Sequence, residues 1–129
     1  MSQAKHILIV DDEENSRMGL AQLLIREGYQ VCCAADGQEA LEVLRRQVVD
    51  IVLSDIRMPG INGIVLLNLI RMQYPDVQVV MITAHGEVNS YLDAMNLGAA
   101  DFVHKPVKLS ELKLVLQKMF CSSAQSLPV

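Results

Sequence analysis

The sequence predicts an α/β fold, a doubly wound parallel sheet of five strands with helices on both faces. Two observations carry this. Short β-branched runs alternate five times with helical stretches, and repeated βα units build a parallel sheet. The runs are nearly continuous in apolar residues, as strands covered on both faces are. Composition agrees. A chain of 129 residues, 51% hydrophobic and 20% charged, excludes disorder and suits one domain. Aromatic residues make up only 4%, so the core is expected to be aliphatic.

The elements follow in order. His6–Val10 (HILIV) reads as the first strand. A helix over Glu14–Glu27 places Met18, Ala21, Leu24 and Ile25 on one stripe, and Gly28 closes it. Val31–Ala35 is the second strand. Asp36 and Glu39 have capping-box spacing for a helix carrying Ala40, Val43, Leu44 and Gln47. Ile51–Ser54 is the third strand, followed by the turn-rich loop Arg57–Gly63. A third helix with Ile64, Leu67, Ile70 and Tyr74 in register stops at Pro75. Val77–Ile82 is the fourth strand. A fourth helix is expected over Glu87–Leu97, with Val88, Tyr91, Leu92 and Met95 on its stripe and Gly98 at its end. Asp101–Val103 is a short fifth strand. Leu109–Phe120 is the last helix, with Leu112, Leu116 and Met119 inward and Leu114 outward. Residues 1–122 form the expected domain, and 123–129 a frayed tail.

For five such strands the common order is 2-1-3-4-5, the flavodoxin-like (βα)5 arrangement, with ligands beyond the carboxyl ends of the strands. Strand 1 ends in Asp11 and Asp12, strand 3 in Asp55, strand 4 in Thr83, and strand 5 near Lys105. Taken singly, each has a plainer explanation: a cap, a turn opener, a β-former, a solvated charge. Their convergence at one edge is what points to a site. Three close carboxylates repel unless a cation joins them. Oxygen donors without His or Cys suit Mg²⁺ rather than Zn²⁺. A hydroxyl and an ammonium beside such an ion can hold phosphoryl oxygens, and a carboxylate can be the nucleophile that forms an aspartyl phosphate.

Over roughly His6–Phe120 the sequence resembles the receiver domain of bacterial two-component response regulators. The matching motifs are Val10-Asp11-Asp12-Glu13, Asp55-Ile56-Arg57-Met58-Pro59 with Gly63 behind it, Ile82-Thr83-Ala84, Gly98-Ala99 and Lys105-Pro106. The stretch Thr83-Ala84-His85-Gly86 is most similar to receivers of the nitrogen-regulation type. The resemblance implies that Asp55 accepts the phosphoryl group. It implies Mg²⁺ ligated directly by Asp12 and Asp55, through water by Asp11, and by the Arg57 carbonyl. It further implies that Thr83 bonds a phosphoryl oxygen, that Lys105 pairs with Asp55 and then the phosphate, and that Lys105–Pro106 is cis. Phe102 stands where the switch aromatic is often Tyr. His104, beside Lys105, is expected to be structural and to point away from the lysine; His85 and His6 are read as a solvated and a structural histidine.

The function expected is therefore a phospho-accepting signalling module, not an enzyme apart from self-phosphotransfer and autodephosphorylation at Asp55. The resemblance implies a sensor histidine kinase or a histidine phosphotransfer protein as donor. It also implies an output domain or protein partner and a possible homodimer. Off-stripe Leu20 and Leu23 on the first helix suggest the kinase contact. Leu114 suggests a contact on the face of the fourth helix, fifth strand and last helix. No output domain follows the last helix, so the chain is expected to act alone or within a longer regulator. A net charge of −4, without a basic patch, argues against nucleic-acid binding. No run suits a membrane span or signal peptide, and three cysteines without CxxC spacing suit a cytoplasmic chain. Two rival readings fit less well. A Mg²⁺-dependent phosphohydrolase wants a second aspartate at position 57, which is Arg. A flavodoxin-like redox carrier wants a hydroxyl-rich loop after strand 1. An unphosphorylated scaffold is disfavoured because every acceptor and metal position is filled.

Overall fold

The structure, a computed structural model, describes residues 5–58, 60–83, 96 and 98–125. Five strands, β1 (His6–Val10), β2 (Gln30–Ala34), β3 (Ile51–Asp55), β4 (Gln78–Thr83) and β5 (Asp101–His104), form one parallel sheet in the order β2-β1-β3-β4-β5. The expected order is thus the observed one. Three helices, α1 (Glu14–Arg26), α2 (Gly37–Arg46) and α3 (Gly63–Gln73), follow the first three strands, and a C-terminal helix spans Leu109–Gln125. The helix expected over Glu87–Leu97 lies outside the described residues.

Alternation along the strands divides the core in two. Leu8, Val10, Val52, Val79 and Met81 face α2 and α3, whose Ala40, Leu44, Leu66, Leu67 and Ile70 cover them. Ile7, Ile9, Leu53, Val80, Ile82 and Val103 face the other way. There Leu20, Ala21 and Leu24 of α1 and Leu112, Val115, Leu116 and Met119 of the C-terminal helix cover them. Burying each such side chain fully is worth about 1.5–3 kcal/mol, so the sheet is held from both faces.

Local signals set the helix starts. Asp36 accepts from the Glu39 amide at 2.8 Å, while the Glu39 carboxylate accepts from the Ala35 amide at 2.9 Å. Asn62 caps α3 by accepting from Val65 N at 3.0 Å. Gly28 takes positive φ after α1, as C′ residues do, and Gly98 before β5 also has positive φ.

Four expectations need correction. The inward stripe of α1 is Leu20, Ala21 and Leu24, whereas Met18 and Ile25 are 49% and 56% exposed. Leu20, read as a surface residue, is therefore core. Gln47 is not on the buried side of α2: it is the exposed residue that ends the helix. β3, β4 and β5 each run one residue further than expected, through Asp55, Thr83 and His104. The C-terminal helix continues past Phe120 to Gln125 because residues 121–125 contain neither Gly nor Pro to stop it.

Candidate functional site

Parallel strands bring their carboxyl ends to one edge, and the residues singled out there meet. Asp11 follows β1, is buried, and donates its amide to Ala34 O at 3.1 Å. Its Oδ1 accepts from Glu13 N at 2.9 Å, and its carbonyl accepts from Arg17 Nη1 at 2.7 Å. The acidic loop is thus pinned by α1. Glu13 rather than Asp11 or Asp12 caps that helix, accepting from Ser16 N at 2.6 Å. Asp12 is left exposed and uncommitted to capping.

Asp55 ends β3 and is only 6% exposed. Carboxylate oxygens of Asp11, Asp12 and Asp55 lie within 4.8 Å of one another. Lys105 Nζ donates to Asp55 Oδ2 at 2.7 Å. Lys105–Pro106 is cis. The loop after β3 is drawn back under the strand, with Gly63 N donating to Ile56 O at 2.7 Å. Arg57 is exposed two residues beyond Asp55.

Burial is the largest influence on Asp11 and pushes its carboxyl up. The Glu13 amide and Lys105 oppose this, while Asp55 and Asp12 reinforce it, and the result is a raised pKa. Burial alone pulls Lys105 down. The Asp55 hydrogen bond and the attraction of Asp55, Asp11 and Asp12 outweigh it, leaving the lysine raised. One ammonium among three carboxylates leaves an excess of negative charge, and the donors are all hard oxygens. This donor set fits Mg²⁺.

Thr83 ends β4 and is 2% exposed. Its Oγ1 lies 3.0 Å from Nδ1 of His104, its register partner on β5. His104, read as a structural strand-end residue, thus has the buried Thr83 hydroxyl as its partner. The signal was available in the sequence, since the last residues of adjacent parallel strands share a face. Phe102, two residues before His104 on that face, is half-buried against the core that α2 and α3 cover. His85 lies outside the described residues.

Beside the acidic cluster is a groove of about 250 Å³ lined by Asp11, Ser16, Leu20, Leu23, Lys105, Pro106 and neighbours. Leu114 on the C-terminal helix is 68% exposed, as expected. Among the described residues no helix is long and apolar enough to cross a membrane.

Residues 7–117 match the response regulator receiver domain family. The chain is 39% identical over 118 residues to the regulatory protein AtoC of Escherichia coli K12, covering 92% of this chain but 26% of AtoC. It is 34% identical over 112 residues to the sporulation initiation phosphotransferase F of Bacillus subtilis, covering 87% of this chain and 90% of that protein. The receiver domain of NtrX from Brucella abortus superposes with a TM-score of 0.84 at 36% identity, covering 88% of this chain and 96% of that one. These likenesses agree with the nitrogen-regulation subgrouping. The chain spans only about a quarter of the length of AtoC and similar curated regulators. Neither the phosphohydrolase nor the redox-carrier reading gains support. Sequence, sheet order and site together place this chain in the response regulator receiver family, the phospho-accepting signalling domains of two-component systems.

Proposed function

We propose that Asp55 is the phospho-acceptor of one domain spanning residues 1–122, and that the donor is a phosphohistidine on a sensor histidine kinase or a histidine phosphotransfer protein. A carboxylate oxygen of Asp55 attacks phosphorus, the P–N bond breaks, and its electron pair returns to the donor imidazole, which takes up a proton. Water later attacks the acyl phosphate, which releases inorganic phosphate and restores the carboxylate. These self-directed steps are the only catalysis assigned to the domain.

The observation that carries this reading is the 2.7 Å contact of Lys105 Nζ with Asp55, set against three carboxylates within 4.8 Å. A carboxylate already paired with a cation has a counter-charge in place for the phosphoryl oxygens it acquires. Asp12 and Asp55, Asp11 through water, and the Arg57 carbonyl would hold Mg²⁺. Bound there, the ion would neutralise charge on the transferring group. Thr83 supplies a hydroxyl to the phosphoryl group, and Phe102 responds to its movement.

The reading extends to partners. The face including β5 and Leu114 meets an output domain, a protein partner or a second copy. The domain binds neither nucleic acid nor membrane, and works in the cytoplasm. Phosphate incorporation from acetyl phosphate tests the core of the proposal. Wild type should label only with Mg²⁺, and Asp55→Asn should not label. Equal labelling of Asp55→Asn, or Mg²⁺-independent labelling, refutes it.

A further inference from the structure

His104, which ends β5, and Lys105, the residue after it, reach the acceptor region from opposite sides. Lys105 bonds Asp55 at 2.7 Å, and His104 meets Thr83 Oγ1 at 3.0 Å. The backbone ties the same two strand ends, with Lys105 N donating to Thr83 O at 2.7 Å. Thr83 is buried while His104 is exposed, so the ring closes over the hydroxyl from outside. The pair is bonded in either neutral tautomer: Nδ1 accepts from the hydroxyl in one and donates to it in the other.

We infer that His104 is a positioning residue, which holds the Thr83 hydroxyl in the resting state and competes for it with a phosphoryl group on Asp55. The inference rests on the assignment of Thr83 and Asp55 made above. A threonine side chain turns about a single stiff torsion with few allowed rotamers. A hydroxyl drawn toward the acceptor therefore gives up Nδ1, and a hydroxyl held by Nδ1 is withheld from the phosphoryl group. His104 thereby sets how readily the domain enters its active state. Phe102 shares the His104 face of β5 and receives the release directly.

Two measurements test this. In the unphosphorylated protein, the His104 ring nitrogen signals should shift in Thr83→Val. Unmoved ring signals overturn the inference without reference to phosphorylation. The second measurement is the affinity for beryllofluoride, a phosphoryl mimic, in the presence of Mg²⁺. His104→Leu should bind it about threefold to tenfold more tightly, the size expected for releasing one net hydrogen bond. His104→Asn, whose amide occupies a similar position, should stay near wild type. In a Thr83→Ala background, His104→Leu should change nothing, because the competing hydroxyl is gone. Unchanged or weaker binding by His104→Leu overturns the inference, as does an equal gain in the Thr83→Ala background. A wild type that binds no beryllofluoride refutes the phospho-acceptor assignment itself, and the competition with it.

Discussion

Replacing Gly63 with alanine tests how closely α3 is docked on the acceptor strand. A Cβ at position 63 would lie 2.3 Å from Asp55 O, 2.7 Å from Ile56 Cα and 2.9 Å from Met81 Cε. The methionine end can swing away. The two backbone atoms cannot, so the start of α3 must retreat by about 1 Å to restore van der Waals contact. That retreat strains the 2.7 Å bond from Gly63 N to Ile56 O, which ties the helix to the loop after Asp55. Overpacking of this kind costs about 1–3 kcal/mol, and weakening the hydrogen bond adds about 0.5–1 kcal/mol. A loss of about 2–3 kcal/mol is expected, or about 8–12 °C in Tm for a domain of this size. Gly19, inside α1, is the control, because an added Cβ there meets nothing within 4 Å. Gly19→Ala should therefore raise stability by about 0.5–1 kcal/mol through helix propensity alone. Urea and thermal unfolding of both variants provide the assay. Acetyl phosphate labelling of Gly63→Ala should also slow, since the retreat of α3 pulls on the loop that follows Asp55. If both substitutions shift Tm in the same direction, or Gly63→Ala falls within 0.5 kcal/mol of wild type as a rough bound, the close-approach argument fails.

Mg²⁺ should stabilise the folded chain by relieving repulsion among Asp11, Asp12 and Asp55. At ten times its Kd the gain is about 1.4 kcal/mol, or about 5 °C, and Asp12→Asn should blunt it; a Tm indifferent to Mg²⁺ contradicts the acidic-pocket assignment. Leu114→Glu should leave Tm within about 0.5 kcal/mol of wild type, since the residue is exposed, yet weaken self-association or output binding in sedimentation or pull-down assays. Leu23→Glu, at the groove beside Asp11 and Lys105, should slow transfer from a cognate kinase while sparing acetyl phosphate labelling; slowing of both points to damage inside the domain. Burial pushes the Cys32 and Cys33 thiols up, so thiolate is scarce near neutrality. Both should alkylate far more slowly in the native protein than in denaturant near pH 8, which peptide mapping after iodoacetamide reads directly.

Much of this protein was legible in its sequence. Five apolar runs separated by helical stretches specify a parallel sheet, because such runs need cover on both faces. The order 2-1-3-4-5 then collects Asp11, Asp12, Asp55, Thr83 and Lys105 at one edge, since parallel strands end together. Strand ends and motif spacing are local properties, and local properties are written directly in the chain. The face of α1 was not legible in this way. Met18, Leu20, Ala21, Leu23, Leu24 and Ile25 are apolar around most of its circumference, so periodicity selects no single stripe. The angle at which α1 lies on β1 and β2 chose Leu20, Ala21 and Leu24, turned by roughly 60° from the expected centre at 100° per residue. Strand pairing puts His104 and Thr83 on one face, but their 3.0 Å bond and the close approach of Gly63 to Asp55 likewise depend on packing. Strand register and helix docking set those distances to tenths of an ångström, and they arise only when the whole sheet and its helices pack at once.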